Sequence, residues 1–235
     1  TKDGRHIFLR SNLDLLEEID LTIKNGAEGI GLVRTEQIFD GLERFPDEEE
    51  QFNVYEKLAE KIYPEKIIIR AFDIGGDKVL PFDVKEPNPF LGWRGIRFLL
   101  DNVDLFKSQI RAILRAGIHK NLKFMIPMIS SVEEVKQVKY LMEDCKAELE
   151  LENKPYDKNI SLGIMIEVPS AVVLAEALAK EVEFFSIGTN DLIQYLLAVD
   201  KGNDIVSSLY QEFHPAVVST VALLIERAKK GHAMV

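Results

Sequence analysis

Short apolar, β-branched runs alternate along this chain with longer segments of helical period, and few folds accept that pattern. The runs are 7–9 (Ile-Phe-Leu), 29–32, 66–71, 123–128, 162–167 and 184–187, each flanked by polar or Gly-rich residues. Strands of this kind are buried on both faces in a parallel sheet. Between them lie helices with legible ends. The first is expected with Ser11 or Asn12 as N-cap, Leu15, Leu16, Ile19 and Ile23 on one face, and a stop at Asn25-Gly26. A second opens at Pro46-Asp47 with an acidic first turn, turns Phe52, Tyr55, Leu58 and Ile62 inward, and stops before Pro64. A third buries Phe106, Ile110, Ile113 and Leu114. A fourth opens on the capping box Ser131-Val-Glu-Glu134 and buries Val135, Val138, Leu141, Met142 and Cys145.

Repeated β–α units leave two architectures, an open doubly wound sheet and an eight-stranded barrel. Polar groups decide between them. Arg34 follows the second strand, Arg70 ends the third, Glu167 ends the fifth and Asn190-Asp191 follow the sixth. Functional groups at the carboxyl ends of many successive strands mark the barrel, whereas an open sheet gathers them at one switch point. The expected fold is therefore α/β, a (β/α)8 barrel in one domain over 1–235, lacking its last two or so strands. The chain starts without a methionine, and Gly231-His-Ala-Met-Val235 reads as the opening of a further strand, so a fragment is expected.

Composition narrows the function. With 29 Lys plus Arg against 39 Asp plus Glu the net charge is −10, which argues against nucleic acid as a partner. The single cysteine, Cys145, permits neither an intramolecular disulfide nor a cysteine metal cage. No apolar run is long enough to span a bilayer and the start lacks a signal-like apolar region, so a cytoplasmic chain without membrane insertion is expected.

Three groups of residues carry chemistry. Arg34, Arg70 and Arg94 are the first; an arginine directly after a buried strand needs an anion, either a substrate phosphate or carboxylate or an internal salt bridge. The second is the pair Glu167 and Asp191. Two hard oxygen ligands with room for water and a substrate oxygen describe a Mg2+ site; helix capping by Asn190 or Asp191 and a salt bridge from Glu167 are the competing readings. The third, Asp73-Ile-Gly-Gly-Asp-Lys78, is a weak phosphate-loop signal and more commonly a glycine-rich turn. Cys145 shares a helical stripe with Val138, Leu141 and Met142 and reads as core. His6, His119, His214 and His232 show no metal spacing, and Asp47-Glu-Glu-Glu50 reads as a first helical turn.

These residues sit in recognisable strings: 29–36, 73–78, Asn88-Pro-Phe-Leu-Gly-Trp-Arg94, Phe124-Met-Ile-Pro-Met-Ile129, 163–169, 184–191, Leu197-Ala-Val-Asp-Lys-Gly-Asn203, Leu209-Tyr210 and His214-Pro-Ala-Val217. Together they resemble the phosphoenolpyruvate-binding C-terminal domain of enzyme I of the bacterial phosphoenolpyruvate:sugar phosphotransferase system. The resemblance implies a barrel that binds phosphoenolpyruvate and Mg2+ and forms a homodimer contact. It implies that Arg34 and Arg70 hold the phosphate, that Glu167 and Asp191 ligate the metal, and that Asn190 helps bind substrate. Arg94 is implied as a supporting or substrate-facing residue. The family's complete enzyme phosphorylates a histidine of its own N-terminal domain and passes the group to a histidine-containing carrier protein in sugar uptake.

The chain departs from the family in three places. Lys201 stands where arginine is usual, keeping charge but losing the bidentate fork. Gln37 and Ile38 replace apolar or aromatic residues, read as neutral. The acid cysteine of the family's Cys-Gly-Glu motif falls after residue 235 and the phosphohistidine domain is missing, so no catalytic residue is expected within this chain, which should bind phosphoenolpyruvate without completing turnover. The related barrels of pyruvate phosphate dikinase and phosphoenolpyruvate synthase are an alternative, with a metal-dependent carbon–carbon lyase more distant. A non-catalytic phosphoenolpyruvate-sensing dimerisation module is a further one.

Overall fold

A computed structural model describes residues 1–38, 44–75 and 86–235. The chain packs as two compact units, Thr1–Phe124 with Met142–Ile160, and Met125–Leu141 with Ser161–Val235.

The first unit opens with β1 (Ser11–Leu13), α1 (Ile19–Lys24), β2 (Ile30–Arg34), α2 (Thr35–Ile38), α3 (Glu48–Ile62) and β3 (Ile67–Arg70). It continues with α4 (Ile96–Asp101), α5 (Val103–Ala116) and β4 (Leu122–Ile126), whose last residues pass into the second unit. Sheet order within the unit is β1-β2-β3-β4, with β1/β2 and β2/β3 parallel. Ile67, Ile68 and Ile69 of β3 are all buried, as a strand covered on both faces requires. Gly29 enters β2 at φ +112° with its α-carbon against the Lys66 backbone, and that approach lets the Ile30 N–H reach the Lys66 carbonyl at 2.8 Å. Helix α3 starts where the sequence says it should. Asp47 accepts from the Glu50 N–H and Glu50 from the Asp47 N–H, both at 2.9 Å. Tyr55, Leu58, Phe98, Phe106, Ile110 and Phe124 fill the core.

After β4 comes α6 (Val132–Leu151), capped reciprocally by Ser131 and Glu134. The second unit then builds β5 (Ser161–Ile166), α7 (Pro169–Val173), α8 (Ala175–Leu178), β6 (Phe184–Ile187), α9 (Thr189–Leu197) and α10 (Pro215–Lys230). Its sheet order is β4-β5-β6, with β5 and β6 parallel in unbroken register from Gly163↔Phe184 to Ile166↔Ile187. Each strand lies beside the next in sequence and no order reversal occurs in either unit, which is barrel topology rather than the doubly wound alternative. Met234 pairs in parallel with Phe184, and the Phe185 N–H donates to the Met234 carbonyl at 2.7 Å. The expected opening of a further strand is thus present beside β6. Among the described residues no helix is long and apolar enough to cross a membrane.

The first element departs from expectation. Ile7, Phe8 and Leu9 are 58–71% exposed and form no strand; pairing begins at Ser11, which was expected to cap a helix. Only Leu13 of β1 is buried. The polar Ser-Asn pair that resembles a cap is the strand itself, held by register Ser11↔Ile30 and Leu13↔Val33. The helix accordingly starts later, after a 3-10 turn at Leu16–Glu18, and of its expected apolar face only Ile19 is buried. Two smaller differences follow. Phe52 is half-buried, with the Arg115 guanidinium 4.0 Å from its ring centroid, and Leu141 is half-buried at the edge of α6's apolar stripe.

Candidate functional site

In the first unit the arginines are set by strand register. Arg34 and Arg70 are the terminal residues of β2 and β3 and are paired neighbours in the ladder. Their guanidinium groups meet different carboxylates. Arg34 donates through Nη1 to both carboxylate oxygens of Asp14, at 2.9 and 3.2 Å, in a part-buried setting. Arg70 is buried, donates to Glu36 and lies 3.3 Å from Asp73. Arg94 is brought to the same carboxylate by a backbone bridge between Gly75 and Arg94, and its Nε and Nη2 donate to Asp73 at 3.2 and 2.8 Å. Asp73, itself buried, therefore joins Arg70 to Arg94.

The internal salt bridge considered for these arginines is thus realised for all three. Gathering the buried Arg70, Arg94 and Asp73 with Glu36 carries a large desolvation cost. The carboxylates hold each guanidinium in a fixed orientation. Asp14, Glu36 and Asp73 carry out this charge balancing and were not read as arginine partners from sequence; only Asp73, three residues after Arg70, pairs with a near neighbour in the chain. Of the Asp73–Lys78 string, Gly76, Asp77 and Lys78 lie outside the described residues.

The second unit holds the carboxylate pair. Glu167 follows β5 directly, is 1% exposed, and accepts from the Met128 N–H at 2.6 Å. Gly188, at the end of β6, packs on it so closely that an added Cβ would lie 2.7 Å from its Oε2. Helix α9 is capped at Gly188 without a side-chain hydrogen bond, which puts Asn190 and Asp191 inside the first turn rather than at the cap. Asp191 is 7% exposed and faces the Lys201 ammonium at 3.2 Å; Lys201 is fixed at its backbone by Gln194, 3.0 Å away. Asn190 is exposed, and its carbonyl accepts from the Tyr210 hydroxyl at 3.1 Å.

Two buried carboxylates of this kind fit a hard divalent ion that retains waters and substrate oxygens. Among the described residues no three His, Cys, Asp or Glu side chains group as a cage for a metal ion. Cys145 is buried, and burial pushes its thiol up to about 12, which suits a core residue. His214 caps α10, accepting from the Ala216 N–H at 3.2 Å.

A fold of consecutive parallel strands with arginines and carboxylates at their carboxyl ends is the setting in which the comparison with known proteins becomes specific. The chain belongs to the family of phosphoenolpyruvate-binding domains of phosphoenolpyruvate-utilising enzymes, whose model matches residues 1–235. Among its relatives, the phosphoenolpyruvate-protein phosphotransferase of Haemophilus influenzae is 49% identical over 228 residues, covering 96% of this chain and 40% of that protein. The protein of the same name from Priestia megaterium is 46% identical over 230 residues, covering 97% and 40%. The chain thus spans about 40% of the length of these relatives. Solved structures share the fold. Citrate synthase SbnG superposes with TM-score 0.59 at 15% identity, over 99% of this chain and 77% of that one. An HpcH/HpaI aldolase/citrate lyase family protein from Burkholderia cenocepacia superposes with TM-score 0.57 at 14% identity, over 98% and 79%.

Proposed function

We propose that this chain binds phosphoenolpyruvate together with Mg2+ and serves a longer phosphoenolpyruvate-protein phosphotransferase. Arg34 and Arg70 grip the phosphate, Arg94 supports Arg70 through their common carboxylate, and Asn190 and Lys201 contribute to substrate binding. Glu167 and Asp191 hold the metal, which neutralises phosphate charge when bound; positioning and charge stabilisation supply most of the catalysis of phosphoryl transfer. The parent enzyme moves the phosphoryl group to a histidine of another domain and on to a histidine-containing carrier protein in sugar uptake. It works as a cytoplasmic homodimer.

The observation that carries this reading is the ladder pairing of Arg34 with Arg70, two cations on adjacent strand ends, within a chain whose relatives bear the phosphotransferase name. Calorimetric titration of phosphoenolpyruvate into this chain, once with Mg2+ and once with EDTA, tests it. The expected result is metal-dependent heat that disappears in Arg70→Ala. Heat that is indifferent to both metal and substitution contradicts the reading.

A further inference from the structure

A chain of wholly buried polar side chains runs behind the arginines in the first unit, and the reading above does not use it. Thr35, Tyr55, Gln51 and Gln109 are each 0% exposed. The Thr35 hydroxyl donates to the Arg70 carbonyl at 3.0 Å. The Gln109 carboxamide donates to the Thr35 oxygen and to the Tyr55 oxygen, both at 3.2 Å, and its oxygen accepts from the Phe72 N–H at 3.0 Å. The Tyr55 hydroxyl donates to Gln51 at 3.1 Å, and the Gln51 amide ends the chain on the Pro46 carbonyl at 3.0 Å.

The direction of every bond in this chain is determined. A backbone N–H can only donate, so Phe72 fixes the oxygen side of Gln109, and both amide hydrogens then face the two hydroxyls. Each hydroxyl, having accepted, sends its own hydrogen onward. Burial pushes the Tyr55 phenol well above its ordinary value, so that hydrogen stays in place. A carboxamide is the side chain that supplies two donors and an acceptor here; a carboxylate of the same length supplies none of the donors.

What the bonds hold is the point. Thr35 lies between Arg34 and Glu36, and the bonds to the Arg70 carbonyl and from the Phe72 N–H bracket the backbone at Ala71, between Arg70 and Phe72. One buried amide on α5 thus ties the exit of β2 to the exit of β3, the two points from which the arginines leave the sheet.

We infer that Gln109 is a positioning residue for phosphoenolpyruvate binding, setting Arg34 and Arg70 relative to each other through Thr35 and the 70–72 backbone. The inference rests on the assignment of those arginines to the phosphate.

The test uses this chain with Mg2+, phosphoenolpyruvate as the titrant, and five proteins: the unchanged chain, Arg70→Ala, Gln109→Met, Thr35→Val and Gln51→Met. Gln109→Met preserves volume and removes all three bonds, Thr35→Val removes the bond to the Arg70 carbonyl and the acceptor of one Gln109 hydrogen while leaving the Gln109 bonds to Tyr55 and Phe72, and Gln51→Met cuts the same polar chain at its far end. Far-ultraviolet circular dichroism and melting accompany each titration. Gln109→Met and Thr35→Val should weaken binding roughly tenfold or more, as misplaced binding groups do, while Gln51→Met binds within about twofold of the unchanged chain and melts lower. If Gln109→Met does not fold, Thr35→Val decides alone. Near-normal affinity in Gln109→Met or Thr35→Val, alongside loss in Arg70→Ala, overturns the positioning role and leaves the phosphate assignment standing. Equal weakening in Gln51→Met overturns it as well, because a general loss of packing then explains the effect. An unchanged chain that binds nothing, or an Arg70→Ala that binds normally, overturns the phosphate assignment and this inference with it.

Discussion

Asp73→Asn is the substitution with the largest consequence for the arginine cluster. Asp73 is 1% exposed and receives two hydrogen bonds from Arg94, at 2.8 and 3.2 Å, with Arg70 at 3.3 Å. Asparagine keeps the shape and one acceptor oxygen but removes the charge that faces two buried guanidinium groups. Removing one partner of a buried ion pair costs about 3–5 kcal/mol, because the other charge stays buried. Arg70 retains Glu36, which places the expected loss at the lower end, about 3 kcal/mol. For a chain of this size that corresponds to a fall in Tm of about 6–12 °C. Differential scanning calorimetry without ligand measures it. Repeating the scan with Mg2+ and phosphoenolpyruvate adds a second expectation: an incoming phosphate supplies the negative charge that the variant lacks, so ligand should raise its Tm by more than it raises that of the unchanged chain. A loss below about 1 kcal/mol, or about 2–4 °C, would refute the buried ion-pair account of this cluster. Ligand stabilisation equal in both proteins would refute the part in which phosphate and Asp73 meet the same cations.

Three further outcomes are expected. Between α3, α5 and α6, burial pushes Glu48 up, but hydrogen bonds from Arg111 and Arg115 outweigh it and hold it below 4.5; Glu49 is lowered by Arg115 and Glu152 by Arg111. Carboxylates depressed in the folded state stabilise it fully above their unfolded value and lose that contribution as pH falls through the folded value. The urea midpoint should therefore drop below about pH 4.5, and less steeply in Arg111→Met/Arg115→Met; parallel curves would contradict this. Gly188→Ala would force a methyl to 2.7 Å from Glu167 Oε2 and 2.8 Å from its Cβ, so metal-dependent phosphoenolpyruvate heat should vanish while circular dichroism stays native. Lys201→Met removes the ammonium 3.2 Å from Asp191; with Lys201 a third or more exposed, the pair is worth about 0.2–1 kcal/mol, and Mg2+ alone should bind more tightly, by a factor of up to about five. Weaker Mg2+ binding in that variant would show that Lys201 assists the site rather than competing for it.

How much of this was legible in the sequence depended on how local the signal was. Strand β6 was read with its observed ends because Phe184–Ile187 is apolar, compact and bounded by charge and glycine. Helix α3 was read from its acidic first turn after Pro46-Asp47 and the start of α6 from a capping box, signals that lie within a few residues of one another. Strand β1 was missed for the opposite reason: Ser11-Asn-Leu13 owes its conformation to β2, a partner nearly twenty residues on. The apolar Ile7–Leu9 run that attracted the assignment lies exposed. At the site, the arginines and carboxylates were found from their positions after apolar runs. Their partners were not, since Asp14–Arg34, Glu36–Arg70 and Asp73–Arg94 form only once strands pair and the Gly75 bridge closes. Gln109 gave no signal at all. On α5 it looks like any polar residue of an amphipathic helix, and only the structure puts it in the core.

The central claim is that Arg34 and Arg70 are the phosphate grip, and the arginine side-chain Nε–H resonances report on it directly. Phosphoenolpyruvate titrated with Mg2+ into the nitrogen-15-labelled chain should shift the signals of Arg34 and Arg70 along one common binding curve. Arg111 and Arg115, held by Glu48, Glu49, Glu148 and Glu152, should stay where they are. Shifts confined to Arg111 and Arg115, or none at saturating ligand, would contradict the account.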